Sequence, residues 1–107
     1  MKSSSGASAA LASGMAWLAH GSDMGGSLRN PASFCGVVGL RPSPGRVATD
    51  PGNKVDRLLS VEGPMARSVE DVALLFDAML GESPKDPVSL PRPAGDTFLH
   101  YARSGWM

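Results

Sequence analysis

The sequence predicts an α/β fold, and three features of its 107 residues carry that reading. Two apolar runs, residues 16–20 and 37–40, are too short for helices and end at or beside glycine or proline, the signature of short buried strands. Residues 68–80 place apolar side chains on one face at a 3.6 period. A small-residue segment over residues 4–15, rich in Ala, Ser and Leu, supplies a second helix ahead of the first strand.

Each element has a local cause. Ser3, Ser4 and Ser5 offer side-chain caps for the first helix, and Gly14 offers its stop. Ala16-Trp17-Leu18-Ala19-His20 forms the first strand and closes at Gly21. Gly21-Ser22-Asp23-Met24-Gly25-Gly26-Ser27 is dense in turn formers and reads as a loop. Leu28 to Phe34 then makes a short helix around Pro31, a residue that a first turn tolerates. Val37-Val38-Gly39-Leu40 is the second strand, and residues 41–53, with three prolines and two glycines, form an irregular crossing. Ser68 with Asp71 resembles a capping box, opening a helix whose inner face is Val69, Val72, Ala73, Phe76, Met79 and Leu80, ended by Gly81. Four prolines between residues 84 and 93 make the following stretch a connection, which reaches an apolar patch at Phe98 to Tyr101.

Composition narrows the function classes. Ten Lys and Arg balance ten Asp and Glu, so no basic footprint marks a nucleic acid or an anionic membrane as partner. The N-terminal apolar stretch is broken by Ser8, Ser13 and Gly14, so it reads as neither a signal peptide nor a membrane span. Cys35 is the one cysteine, with no partner for a disulfide and no zinc-ligand spacing, and it reads as a small buried hydrophobe in a cytoplasmic protein. No cofactor and no metal are expected.

Gly25-Gly26-Ser27 is the densest chemical candidate. Two residues without Cβ let successive N–H groups converge on an anion beside a hydroxyl, although a plain glycine turn with Ser27 as an N-cap has the same composition. A hydroxyl needs a base to become a nucleophile. No Gly-x-Ser-x-Gly elbow is present, and His20 and His100 lack the spacing of a Ser-His-Asp site and read as ordinary polar tips. Asp23 reads as a carboxylate that orients loop amides and not as a general base.

The run Gly21-Ser22-Asp23-Met24-Gly25-Gly26-Ser27-Leu28-Arg29-Asn30-Pro31-Ala32-Ser33-Phe34-Cys35-Gly36-Val37-Val38-Gly39-Leu40-Arg41-Pro42 resembles the amidase signature family. Gly45-Arg46-Val47 and Gly63-Pro64-Met65-Ala66-Arg67-Ser68-Val69-Glu70-Asp71 follow in that family's order, so the likeness runs from about Ser3 through Gly81. The resemblance implies part of an α/β/α layered domain around a mixed sheet. It also implies cleavage of amide C–N bonds, with a small-molecule amide as substrate. By resemblance Ser27 is the nucleophile, and the N–H groups of Met24, Gly25, Gly26 and Ser27 are the oxyanion hole. Ser3, 24 residues earlier, is the bridging serine that relays a proton to a neutral lysine. Asp23 and Arg29 support the loop, and Arg29 and Arg67 pair with carboxylates or carbonyls around it.

The family pattern is not matched throughout. Its bridging loop usually reads Gly-Gly-Ser-Ser-Gly-Gly, whereas this chain has Met1-Lys2-Ser3-Ser4-Ser5-Gly6. The family lysine belongs on a strand well before the bridging serine, and Lys2, Lys54 and Lys85 are poor substitutes for it. The expectation is an internal piece of the domain, with residues 1–81 as a partial signature core and residues 82–107 as a proline-rich connection and continuation. Such a piece is expected to be inactive alone. The alternative is a non-catalytic, truncated or mis-started fragment that needs the missing remainder of the domain as its partner. Within the family, Ala48-Thr49-Asp50-Pro51 differs from the tRNA-dependent amidotransferase branch, so a general amidase ranks first. Met24 and the run Ser27-Leu28-Arg29-Asn30 are similar to hydrolases of aminohexanoate oligomers.

Overall fold

A computed structural model describes residues 5–23, 25–49, 61–83, 86 and 89–104. In chain order the elements are α1 (Ser5–Ala12), β1 (Leu18–Asp23), α2 (Arg29–Cys35), β2 (Val38–Gly39), β3 (Val61–Ala66), α3 (Val69–Met79) and α4 (Phe98–Ser104). The three strands form one sheet in the order β1-β3-β2.

α1 closes where glycine permits it. Gly14 has φ +81, its N–H donates to the Leu11 carbonyl at 3.2 Å, and the Met15 N–H reaches back to the Ala10 carbonyl at 2.8 Å. This is the Schellman pattern, in which a left-handed residue satisfies the last helical carbonyls. Arg67 completes the closure, its Nη1 donating to the carbonyls of Leu11 (2.8 Å) and Ala16 (2.9 Å). α2 ends likewise at Gly36, φ +71, and Val37 bonds back to Ala32.

β1 begins two residues later than its apolar run and continues through Gly21, Ser22 and Asp23, which local composition assigns to a loop. Pairing overrides that propensity, because Leu18–Asp23 lies in antiparallel register with Ala66–Val61 along its whole length. β3 is an element that sequence reasoning missed, as is the helix at Phe98–Ser104. Gly63-Pro64 in the middle of β3 argues against a strand, above all a central one. The Pro64 carbonyl accepts from the Leu40 N–H at 3.2 Å, so Pro64 turns its backbone polar groups toward the β2 side. The missing donor therefore falls just past a two-residue strand and leaves the ladder to β1 intact. All pairing within this sheet is antiparallel, so the parallel part of a mixed sheet is not among the described strands.

Strand alternation separates the two faces of the sheet. Met65 joins Leu11, Leu28 and Ala32 in a buried cluster, with Ala7, Ala16, Ala19 and Val37 packed against it. This places α1 and α2 on the face that also carries Ala19, Gly21 and Asp23 of β1. Pro64 and Ala66, on the opposite face, are buried too. Met79 of α3 lines an open cleft there with His20 and Glu62, so α3 covers that side.

α3 is capped as expected, the Ser68 Oγ accepting from the Asp71 N–H at 3.2 Å. Its buried stripe is Val72, Ala73 and Phe76, with Leu80 just beyond its end. Val69, at the first helical position, is 62% exposed, which corrects the expected face: the buried stripe starts one turn later, at Val72. The patch at residues 98–101 belongs to α4, which packs back on α3. The rings of Phe98 and Phe76 are 4.9 Å apart, and the Asp77 carboxylate accepts from the N–H groups of Phe98 (2.8 Å) and Leu99 (3.0 Å). No helix among the described residues is long and apolar enough to cross a membrane.

Candidate active site

The turn that follows β1 winds around a single carboxylate. Asp23, the last residue of β1, is completely buried, on the face that holds Leu28. Its Oδ1 accepts from the Gly26 N–H at 2.8 Å and its Oδ2 from the Leu28 N–H at 3.2 Å. The intervening amides behave differently: neither Gly25 nor Ser27 donates its N–H to any described residue. The amides from 25 to 28 thus alternate between a pair bound inward to Asp23 and a pair left available. Gly26 has φ +115, a conformation that side chains disfavour, and a Cβ there would lie 2.8 Å from Asn30 Nδ2.

Ser27 follows this glycine and is 9% exposed. It is not a helix cap: Leu28 occupies that position with helical φ and ψ, and no side-chain cap bond is made. The Ser27 hydroxyl has no hydrogen-bond partner among the described residues, an unusual state for a nearly buried hydroxyl. A hydroxyl next to two available amides can attack a carbonyl carbon while those amides receive the developing oxyanion.

Two guanidinium groups surround the carboxylate. Arg29 Nε lies 3.0 Å from Oδ2 and its Nη2 3.3 Å from Oδ1. Arg41 Nη1 donates both to Oδ1 at 2.8 Å and to the Asp23 backbone carbonyl at 2.5 Å. Burial by itself would raise the Asp23 pKa. The bonds from Arg29, the Gly26 and Leu28 amides and Arg41 reverse that and hold the carboxyl well below the usual carboxylate range. The same pairing raises the Arg29 pKa. Asp23 is therefore a fixed anion that organises the turn.

Other sequence candidates sit elsewhere. Ser3, Met24, Lys2, Lys54 and Lys85 lie outside the described residues. Gly26, grouped with the oxyanion donors by resemblance, gives its N–H to Asp23. His20 is exposed on β1 with Nδ1 3.7 Å from Glu62 Oε2, and His100 lies 3.6 Å from Asp96. Neither histidine bonds to Ser27. Cys35 is half-buried at the end of α2, less enclosed than expected. Arg67 binds carbonyls at the end of α1 and not around the loop. Sequence reasoning gave Arg41 no role, and an arginine between an apolar strand and a proline carries no local signal that it reaches a residue 18 positions earlier.

Comparison with known proteins identifies the family. The family model described as Amidase matches residues 2–104. The chain is 54% identical, over 91 residues, to a glutamyl-tRNA(Gln) amidotransferase subunit from Thermus thermophilus, covering 85% of this chain and 19% of that one. The tRNA-dependent branch, set aside on residues 48–51, is therefore among its relatives. Among solved structures, a peptide amidase from Stenotrophomonas maltophilia superposes with a TM-score of 0.76 at 36% identity, covering 85% of this chain and 19% of the amidase. A 6-aminohexanoate cyclic dimer hydrolase, solved with its substrate, gives 0.76 at 42% identity, with 88% and 20% covered. The chain spans about a fifth of the length of the relatives it matches.

Proposed function

The chain belongs to the amidase family, and from that membership we propose that it carries the nucleophile turn of an amide-cleaving serine site. Ser27 Oγ attacks the amide carbonyl carbon, and the carbonyl π electrons move onto oxygen. The available N–H groups of Gly25 and Ser27, together with that of Met24, receive this oxyanion. The Ser27 proton passes through Ser3 to a lysine kept neutral by burial, and it leaves on the departing amine. Water then hydrolyses the acyl-serine. The observation that carries this reading is the nearly buried Ser27 hydroxyl beside two amides, none of the three with a hydrogen-bond partner among the described residues.

The substrate is a small-molecule amide, a class supported by the peptide amidase and cyclic dimer hydrolase to which the chain is similar. The lysine and the rest of the binding cleft come from the other four-fifths of the family domain, so the chain alone does not turn over amides. Met15, Trp17 and Phe34 are 82%, 77% and 91% exposed, which supports a complementing partner with the chemistry of that remainder. A lone cysteine fits a cytoplasmic setting.

A graft tests the proposal. Residues 2–104 replace the matched segment of the Stenotrophomonas maltophilia peptide amidase, and hydrolysis of a peptide amide is measured with and without Ser27→Ala. Hydrolysis abolished by Ser27→Ala is the expected result, and hydrolysis that survives it would refute the assignment.

A further inference from the structure

From the contacts around Asp23 we infer that Arg41 is a positioning residue for the reaction at Ser27, acting from beyond β2 through Asp23; its catalytic consequence rests on the Ser27 reading. Arg29 and Arg41 both bind the Asp23 carboxylate but do so differently. Arg29 stands six residues away at the start of α2, its side chain 54% exposed, and among the described residues its guanidinium bonds to the carboxylate and not to the backbone carbonyl. Arg41 follows β2, its side chain 25% exposed, and one nitrogen bridges the Asp23 carboxylate and the Asp23 backbone carbonyl. A donor on both groups fixes the rotation of the side chain relative to the strand end that bears it. Which oxygen faces Gly26 and which faces Leu28 then follows, and so does the alternation that leaves Gly25 and Ser27 available.

A glycine admits this contact. Gly63 of β3 pairs with Gly21 of β1, two residues before Asp23 on the same face. A Cβ on Gly63 would collide with the Leu40 carbonyl and come 2.9 Å from Pro42 Cδ, so residues 40–42 lie directly on the bare backbone there. That close passage carries Arg41 to the end of β1. Gly39 does the same just before it, where a Cβ would sit 2.5 Å from the Leu28 carbonyl. The β2 strand and the segment after it are pressed onto the turn by absent side chains, and Arg41 is the polar tip of that contact. Lysine carries the charge but not the planar set of donors, so it substitutes only in part.

The test has two arms. In the full chain, amide hydrogen exchange at Gly26 and Leu28 is followed in Arg41→Met, Arg41→Lys and Gly63→Ala, with the Val72 and Phe76 amides as folding controls. Loss of a charge-assisted bond is expected to speed exchange at Gly26 and Leu28 about tenfold in Arg41→Met, less in Arg41→Lys. Gly63→Ala should match Arg41→Met although its arginine is intact. In the graft described above, kcat should fall about tenfold in Arg41→Met with KM unchanged and partial rescue by Arg41→Lys. Unaltered exchange at Gly26 and Leu28 in folded Arg41→Met would overturn the inference, as would unaltered exchange in Arg41→Lys should Arg41→Met fail to fold. A graft whose hydrolysis survives Ser27→Ala, with the exchange changes as expected, upholds the hold on the turn and removes the Ser27 reading instead.

Discussion

The Gly26 N–H lies 2.8 Å from Asp23 Oδ1, and this bond, with that of Leu28, separates amides held inward from those of Gly25 and Ser27, which bond to no described residue. It ties the end of β1 to the start of α2 by a route that neither element supplies alone. Because the acceptor is ionised and buried, the bond is of the strong charge-assisted kind.

Asp23→Asn should therefore be costly. An amide presents its own N–H to at least one of the donors now facing the carboxylate, and two guanidinium groups lose their counter-charge. The expected loss is about 2 to 3 kcal/mol, below the full value for a broken buried pair because Arg29 is half exposed. Urea unfolding of the two chains measures it, and equal midpoints would contradict it.

Acid should act through the same group. The folded Asp23 carboxyl titrates well below its unfolded value, so its stabilisation is complete above the unfolded pKa of about 3.9 and drains as the pH falls toward the folded value. Thermal midpoints taken from about pH 6 to about pH 2 should drop more steeply below about pH 4 for the parent than for Asp23→Asn. Parallel profiles would show that other carboxyls dominate.

Gly26→Ala tests the backbone instead of the charge. The Asn30 side chain, 2.8 Å from the added Cβ, can swing away, but φ +115 remains strained for alanine. The expected cost is about 1 to 2 kcal/mol, with a shift of the Ser27 amide resonance. A neutral substitution with an unmoved Ser27 resonance would argue against a strained turn.

Ser68→Ala serves as a contrast, since the Ser68 hydroxyl caps α3 on the other face of the sheet. It should lower stability by about 1 kcal/mol and leave the exchange rates of Gly26 and Leu28 unchanged. Faster exchange at those amides would mean that the turn senses global stability and not its own contacts.

These features differ in how far they could be read from residues. α3 was legible because its cap, period and terminating glycine are all local, and the role of Asp23 toward loop amides followed from the chemistry of a short carboxylate before glycines. β3 was not, because Gly63 and Pro64 carry turn propensities, and only the positions of Leu40 and β1 make a strand of them. The extent of β1 was hidden for the same reason. Ser27 stood out through its motif, whereas the partition of the amides did not. That partition depends on Arg41 reaching a residue 18 positions back over a glycine from a third strand, and no window of sequence contains all of those residues.

The most direct measurement is the site of covalent modification. The graft carrying residues 2–104 is treated with a fluorophosphonate, digested, and the modified residue located by mass spectrometry, alongside Ser27→Ala and the chain alone. Modification at Ser27 in the graft, none in Ser27→Ala and none in the chain alone is the expected result. Modification of an active graft at any other residue, with Ser27 untouched, would contradict the assignment of Ser27 as nucleophile.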